Sequence, residues 1–345
     1  MRRREFFTLA AGGTVLLSTA RRLRGDSILL SSNPLVVEFN LQSLNGKYTP
    51  TEDFYIRNHF PIPQAAPTRL LRIEGEVEKP LSVSAEHLAR LRPREMGAVL
   101  ECAGNGTSPE ALASNGLWEG WALEDILAMA QPTSKAAHLH LTGSDGFSRS
   151  VPMGEALRDA ILVTRLNHQL LPLEHGAPWR VLFPGWYGMS SVKWLERIEL
   201  SPIPLAPETD QYLAKLDRPP AGQPNYHSLP RLQVKSVVNY PALGVILHPG
   251  TVTVRGLAWS GTGTVAVVEV STDGGKTWRV AKLDAGSRYE WGQWQYTVKI
   301  PEPGVLNVAC KAVDEKGAEQ PVQRDPNRID GYANNTIEQV HFLVE

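Results

Sequence analysis

The segment Glu101-Cys102-Ala103-Gly104-Asn105-Gly106 places a cysteine where an apolar run gives way to small residues. Small neighbours leave room for a large group beside the sulfur, and a thiolate is a suitable ligand for a soft or high-valent metal centre. Taken alone, the segment leaves two alternatives open. Cys102 could be a buried, inert cysteine beside a glycine turn, or the nucleophile of a hydrolase, although no particular histidine is marked as its base.

Two further segments carry polar side chains among aromatic, Gly and Pro residues. In Phe54–Pro61 (FYIRNHFP), consecutive polar residues on a rigid turn can direct donors at an anion; a surface polar turn is the alternative. The second segment is 167–195, and a loop-rich edge of the core is its alternative. The side chains that suit a phosphate and a large polar ligand are Arg57, Asn58 and His59 in the first segment, and His175, Arg180, Ser191 and Lys193 in the second.

Together these segments resemble the molybdopterin-binding signature of the sulfite oxidase family, in the family's order and at similar spacing. The matching motifs are Glu101–Asn105, Arg57-Asn58-His59, His175-Gly176-x-Pro178-x-Arg180 and Ser191-Val192-Lys193-Trp194. The C-terminal part resembles the family's dimerisation domain through Gly256–Gly261 (GLAWSG), Ser271–Trp278 (STDGGKTW) and Cys310–Asp314 (CKAVD). The resemblance covers about residues 50–345, nearly the whole mature chain.

The resemblance implies a molybdenum–molybdopterin cofactor and a role for each matching residue. Cys102 corresponds to the family's cysteine ligand to molybdenum, Arg57 to the substrate arginine beside the metal, and Tyr212 to an active-site tyrosine. The residues that correspond to cofactor contacts are Asn58, His59, Asp145, His175, Arg180, Ser191 and Lys193. The cofactor would carry the redox chemistry, while the protein supplies geometry and charge.

Two departures from the family pattern bear on the substrate. The family's sulfite enzymes place a second arginine five residues after the cysteine, where this chain has Thr107. The segment before Trp118-Glu119-Gly120 is also shorter, and neither Trp118 nor Trp121 matches the family's pocket tryptophan. The resemblance favours sulfite as the small oxyanion substrate, whereas the two departures leave alternatives open. The alternatives are a molybdoenzyme acting on another small oxo compound, such as a sulfoxide, and a non-catalytic exported binding module.

The chain of 345 residues is long enough for two or three domains. Residues 29–205 mix short strands and helices without regular alternation, which predicts an α+β molybdopterin-binding domain of the sulfite oxidase type. Helical spacing marks Ser84–Leu91, Leu123–Ala130 and Glu155–Asp159. No GxGxxG motif follows a strand, so a nucleotide-binding fold has no support.

Residues 206–229 are rich in proline and are predicted to be a connector. Residues 230–345 contain six or seven short strands separated by turns, which predict an all-β immunoglobulin-like sandwich. Because this region resembles the family's dimerisation domain, we expect a homodimer. Cys102 and Cys310 could form one disulfide, but Cys310 lies in a strand-like run and Cys102 in a loop, which argues against a bridge.

The N-terminus reads MRRREFFTLAAGGTVLLSTA, a basic start followed by an apolar stretch too short to span a membrane. With Arg3-Arg4 it resembles a twin-arginine export signal over residues 1–28, which predicts a periplasmic protein without a membrane span once the signal is removed. Lys plus Arg is 35 and Asp plus Glu is 36, a balance that argues against a nucleic-acid partner.

No haem is expected in this chain, because it has no CxxCH motif and nothing that resembles cytochrome b5 before residue 50. The electron acceptor is therefore expected to be a separate c-type cytochrome or another periplasmic carrier.

Overall fold

The computed structural model describes residues 27–64, 70–106, 110–206, 212–219, 221–222, 226–229 and 231–345. The predicted export signal lies outside these ranges apart from its last two residues, and Thr107 also lies outside them. Within the described ranges, no helix combines the length and the apolar character that a membrane crossing requires.

The N-terminal domain is an α+β unit in which short helices accompany β-sheets. Its elements in chain order are β1 (Ile28–Ser32), β2 (Leu35–Asn40), β3 (Ile56–Arg57), β4 (Leu71–Gly75), β5 (Leu81–Val83), α1 (Ala85–Ala89), β6 (Pro93–Glu101), β7 (Glu110–Ala111), β8 (Ala113–Ala122), α2 (Leu123–Ala130), β9 (His138–Gly143), β10 (Ser148–Pro152), α3 (Met153–Leu157), β11 (Ile161–Leu166), β12 (Gln169–Leu170), β13 (Arg180–Leu182) and β14 (Leu195–Ser201). One sheet has the order β10-β9-β14-β4-β5, and a second has β12-β11-β8-β6 with β13 paired to β11. A smaller sheet joins β1, β2 and β3, with β7 paired to β2.

Helix α2 connects the two larger sheets. Leu123, Ile126 and Leu127 fall on one face, and all three are buried in a core shared with β4, β9 and β13. The helix ends where Gln131 takes the left-handed conformation, with φ of 55°. The sequence predicts this helix with the bounds that it has. Helix α1 lies inside the predicted Ser84–Leu91, whereas α3 begins and ends two residues before the predicted Glu155–Asp159.

The proline-rich connector contains more regular structure than a linker would. Strands β15 (Leu213–Lys215) and β16 (Tyr226–Ser228) form an antiparallel pair. The segment after β15 also pairs with a loop of the C-terminal domain, since Asp217 N donates to Asn327 O at 2.9 Å and Ile329 N donates to Lys215 O at 3.1 Å. A proline-rich segment can hold this shape because another domain supplies its backbone partners.

The C-terminal domain is a β-sandwich, as the sequence predicts. Its strands are β17 (Lys235–Tyr240), β18 (Gly250–Trp259), β19 (Val265–Ser271), β20 (Arg279–Val280), β21 (Lys282–Asp284), β22 (Gly292–Ile300), β23 (Gly304–Asp314) and β24 (Gln339–Val344). One sheet has the order β17-β18-β22-β21 and the other β20-β19-β23-β24. In β24 alternate residues are buried, so Val340, Phe342 and Val344 face the core.

Two details of the sandwich bear on the sequence prediction: the number of its strands and the state of the two cysteines. Strands β20 and β21 are separated only by Ala281 yet belong to opposite sheets, so the described sandwich has eight strands where the sequence predicts six or seven. Cys310 is fully buried on β23, and both it and Cys102 are free thiols in different domains.

A buried ion pair joins the two domains beside the cysteine segment. Glu101 ends β6, and its carboxylate lies 3.1 Å from the ammonium group of Lys235, the first residue of β17. The two side chains are 3% and 2% exposed, respectively. Trp259, the register partner of Lys235, donates its indole N–H to the other carboxylate oxygen at 2.9 Å. Lys235 also donates to the carbonyl oxygen of Gly106 at 2.6 Å, so the second domain holds both ends of the cysteine segment.

We expect Lys235→Met to lower the free energy of unfolding by about 3–5 kcal/mol, because the buried carboxylate of Glu101 loses its cation. Thermal and denaturant unfolding measure the change. The matched control is Lys311→Met, which removes partly exposed pairs with Glu269 and Glu319 and should cost about 0–1 kcal/mol. The double variant Lys235→Met, Glu101→Gln should recover part of the loss. Equal losses in Lys235→Met and Lys311→Met would contradict the importance of the buried pair.

Candidate active site

One pocket in the N-terminal domain gathers all the residues that the sequence marks as site residues. These are Arg57, Asn58, His59, Cys102, Asp145, His175, Arg180, Ser191, Lys193 and Tyr212. They come from segments far apart in the chain, and Tyr212 comes from the connector. The structure therefore brings together every predicted side chain that it describes, while their individual roles stay predictions.

The thiol of Cys102 is held at the start of a short loop after β6. Its backbone N–H donates to Leu112 O at 2.8 Å, and its carbonyl oxygen accepts from Asn105 N at 2.9 Å. Gly104 N donates to the sulfur at 3.4 Å. Burial raises the pKa of the Cys102 thiol, although the Gly104 amide and the charge of Arg57 oppose the rise. A metal cation at the sulfur would favour the thiolate that burial disfavours.

Asn105 and Glu101 fix the shape of this loop. The side-chain amide of Asn105 donates to a Glu101 carboxylate oxygen at 2.9 Å and accepts from Leu112 N at 2.9 Å. The same Glu101 oxygen accepts from Lys235. The loop that presents Cys102 thus depends on a hydrogen-bond network that reaches into the C-terminal domain.

Three cations line the pocket: Arg57, Arg180 and Lys193. Burial lowers the pKa of Arg180 to about 10. Burial also lowers the pKa of Lys193 well below its usual range, and the nearby charge of Arg180 lowers it further. Among the described residues of the lining, Asp145 is the only carboxylate. The pocket therefore carries excess positive charge at low solvation, which favours an anionic ligand.

Two buried donors in the pocket have no hydrogen-bond acceptor among the described residues. Lys193 donates to the side-chain oxygen of Asn58, which leaves the Asn58 amide nitrogen buried without a partner among the described residues. Arg180 donates from Nη1 to His175 O at 3.2 Å, while its Nε is likewise buried without a partner among them. Buried donors of this kind need an acceptor. The donor set therefore fits a buried ligand with phosphate and polar ring groups, as molybdopterin has.

Ser191 and Asp145 are oriented by backbone groups. The Ser191 hydroxyl oxygen accepts from Phe183 N at 3.1 Å, so its own hydrogen remains available as a donor. Asp145 accepts from Phe147 N at 3.0 Å in the turn between β9 and β10. Burial raises the pKa of Asp145, and the Phe147 amide and Lys193 oppose this rise.

Tyr212 lines the same pocket as Cys102 and lies beside the ring of His59. Its hydroxyl is 3.3 Å from His59 Nδ1, and its side chain is buried. Burial raises the pKa of Tyr212 to about 12, with Cys102 adding to the rise and Arg57 opposing it. Tyr212 is therefore a protonated hydrogen-bond donor at neutral pH.

Sequence reasoning missed three residues at or beside the pocket. Arg149 is buried on β10, and its guanidinium lies 5.8 Å from the centre of the Tyr212 ring. Burial lowers its pKa to about 10. An available signal was that Arg149 shares the inward face of β10 with Val151. Tyr55 also lines the pocket, and Tyr332 reaches Tyr212 from the C-terminal domain, with ring centres 5.4 Å apart.

Trp118 is not among the described residues that line the pocket. It is fully buried on β8 and donates its indole N–H to Ala98 O at 3.0 Å. Its ring centre lies 5.5 Å from the guanidinium of Arg180, so Trp118 stabilises this pocket cation through a cation–π contact.

Comparisons with known proteins identify the family of each of the two domains. The profile of the oxidoreductase molybdopterin binding domain matches residues 59–206, and that of the Mo-co oxidoreductase dimerisation domain matches residues 227–344. Sulfite oxidase from Gallus gallus is 34% identical over 311 residues, which are 79% of this chain and 68% of that protein. Mitochondrial sulfite oxidase from Homo sapiens is 31% identical over 361 residues, covering 91% of this chain and 65% of the human protein.

The chain thus spans about two thirds of the length of these relatives. Among solved structures, the sulfane dehydrogenase SoxCD from Paracoccus pantotrophus superposes with a TM-score of 0.83 at 25% identity. The superposition covers 99% of this chain and 96% of that one. The predicted fold, a molybdopterin-binding domain followed by a β-sandwich, is confirmed.

Proposed function

This chain belongs to the sulfite oxidase family of molybdopterin oxidoreductases, and we propose that it is a periplasmic enzyme that oxidises sulfite to sulfate and passes the electrons to a separate cytochrome. The observation that carries this proposal is the position of Cys102 in one pocket with Arg57, Arg180 and Lys193. A thiolate ligand beside excess positive charge suits a metal cofactor that bears a phosphate and accepts an oxyanion.

Cys102 would bind the molybdenum, and the buried donors around it would bind the pterin and its phosphate. The cofactor, when bound, supplies oxygen-atom transfer and two-electron redox chemistry. The residues proposed to hold it are Asn58, His59, Asp145, His175, Arg180, Ser191 and Lys193, all in the pocket lining. Their cations offset the charge of the phosphate, and the unpaired donors of Asn58 and Arg180 gain acceptors.

Arg57 would bind and orient the substrate. One guanidinium nitrogen donates to the carbonyl oxygen of Asn58, which fixes the side chain, and the remaining N–H groups can bind two oxygens of an oxyanion. The protonated hydroxyl of Tyr212 lies in the same pocket, where the ring of Phe147 packs against the Tyr212 ring with their centres 6.2 Å apart.

A second candidate substrate is another small oxo compound, such as a sulfoxide. The observation in its favour is Thr107, which stands where the family's sulfite enzymes have an arginine. A pocket with fewer cations has a smaller preference for a dianion over a neutral compound.

The proposed function predicts a purified protein that contains stoichiometric molybdenum and oxidises sulfite with cytochrome c as acceptor. Arg57→Met should keep the molybdenum and lower kcat/KM for sulfite by about ten- to a hundredfold, since a charge-assisted hydrogen bond contributes about 1.5–3 kcal/mol. Cys102→Ala is the contrasting variant and should abolish turnover.

Full activity of Cys102→Ala would refute the ligand assignment, and unchanged kinetics of Arg57→Met would place the anion site elsewhere. If the parent holds molybdenum, does not oxidise sulfite and turns over a sulfoxide, the second candidate substrate is correct. A parent that binds no molybdenum under cofactor-producing expression would refute both.

Export supports the periplasmic part of the proposal, because residues 1–28 resemble a twin-arginine signal. We expect Arg3-Arg4→Lys-Lys to leave the protein in the cytoplasm, as measured by cell fractionation. The matched control is Arg21-Arg22→Lys-Lys, which lies behind the apolar stretch and should be exported like the parent. Periplasmic delivery of the Arg3-Arg4 variant would exclude this route.

The dimerisation-domain profile over residues 227–344 supports a homodimer formed through the sandwich. Light scattering at micromolar concentration should give twice the mass of one chain. A monomer under these conditions would contradict the proposal.

A further inference from the structure

A loop of the C-terminal domain lies directly on the cysteine segment. We call residues 328–333 the strap. Ala333 N donates to Ala103 O at 2.7 Å, which joins the strap to the residue after Cys102. The ring of Tyr332 lies beside Gly104, where an added Cβ atom would be in ordinary van der Waals contact with the ring carbons at 3.9 Å.

The strap is shaped by one carboxylate. Arg328 donates from Nε and Nη2 to the two oxygens of Asp330 at 2.8 and 2.7 Å, and Tyr332 N donates to Asp330 Oδ1 at 2.8 Å. Arg324 and Arg328 both donate to the carbonyl oxygen of Tyr332 at 3.1 Å. The Asp330 side chain is only 4% exposed, so these bonds are protected from water.

The same carboxylate also holds the connector that carries Tyr212. Lys215, three residues after Tyr212, donates its N–H to Asp330 Oδ2 at 2.8 Å, and its carbonyl oxygen accepts from Ile329 N at 3.1 Å. Asn327 adds a further clamp, since its side-chain oxygen accepts from Arg218 N at 2.7 Å. Asp330 therefore acts together with these bonds to hold the connector against the strap.

The two tyrosines meet at the point where these segments converge. The rings of Tyr212 and Tyr332 are 5.4 Å apart between centres, and the Tyr212 hydroxyl lies 3.3 Å from His59 Nδ1 in the pocket. A shift of the connector would therefore move Tyr212 away from both His59 and Tyr332. Small displacements of this kind weaken substrate positioning.

We propose that Asp330 is a positioning residue for the active site: it fixes Tyr212, which lines the pocket, and Tyr332, which packs against Tyr212, as a two-tyrosine wall beside the Cys102 loop. The inference rests on the proposed function only where turnover is the readout. Its substrate class is the small oxyanion or oxo compound already proposed.

The decisive measurement is hydrogen–deuterium exchange on the holoenzyme. Asp330→Ala should exchange faster than the parent in 212–218 and in the strap, with molybdenum content unchanged. The matched control is Asp314→Ala. Asp314 is a buried carboxylate of the same domain, which accepts from Ser260 at 2.8 Å and from Ala318 N at 2.9 Å. This control should leave exchange in 212–218 as in the parent.

Turnover provides a second readout. Asp330→Ala should lower kcat/KM for sulfite by about ten- to a hundredfold, mainly through a higher KM, because the wall acts on substrate position. Tyr332→Ala should raise KM in the same way, while Tyr332→Phe keeps the ring and should restore most of the loss.

Parent-like exchange of Asp330→Ala in 212–218 would overturn the proposal, as would the same increase in the Asp314→Ala control, which would indicate general destabilisation. If Asp330→Ala does not fold, the Tyr332 pair decides, and equal KM values for Tyr332→Ala, Tyr332→Phe and the parent would refute the wall. If the parent does not oxidise sulfite, the exchange results still test Asp330, and only the proposed substrate fails.

Discussion

The buried ion pair of Glu101 with Lys235 is the interaction on which the position of the cysteine depends. Glu101 precedes Cys102, and its carboxylate accepts hydrogen bonds from Lys235, Trp259 and Asn105. Two of these donors belong to the second domain. A buried carboxylate is costly unless it is fully paired, so the geometry of the thiol is stable only when the sandwich is docked. The active site is therefore a property of both domains.

The electrostatic free energy of the pocket is unfavourable when no anion is bound. Arg180 and Lys193 are held close together at low solvation, which disfavours their charged forms. An anionic cofactor reverses this effect, because it converts repulsion between cations into attraction to a common partner. Because the cofactor binds the folded chain and not the unfolded one, its binding shifts the folding equilibrium toward the folded state. This coupling explains why a site that is unfavourable in isolation can be maintained at the centre of the domain.

Part of this arrangement follows from the sequence, and part of it does not. The spacing of Leu123, Ile126 and Leu127 predicts α2, and the family motifs place the pocket residues in one site, as found. Arg149, Lys235 and Tyr332 were not foreseen, because their importance arises from contacts between distant segments. Glu101 and Lys235, for example, are 134 positions apart. The prolines of the connector are typical of a linker. Its contacts could not be predicted for the same reason, because its hydrogen-bond partners lie in the distant loop that contains Asn327 and Asp330.

One hydrophobic core runs through both domains, since Cys102 and Leu100 share a buried cluster with Leu232, Leu257 and Trp259. This continuity limits how the two domains can be exchanged between homologues by recombination. Recombination between relatives is least disruptive where few contacts cross the junction, and a proline-rich connector is normally such a place. Here a chimera joined in the connector after Lys215 would separate Glu101 from the lysine that neutralises it and Lys215 from the carboxylate that accepts its N–H. Homologous halves can be exchanged only when these pairs travel with them, so the two domains are expected to evolve as a single unit.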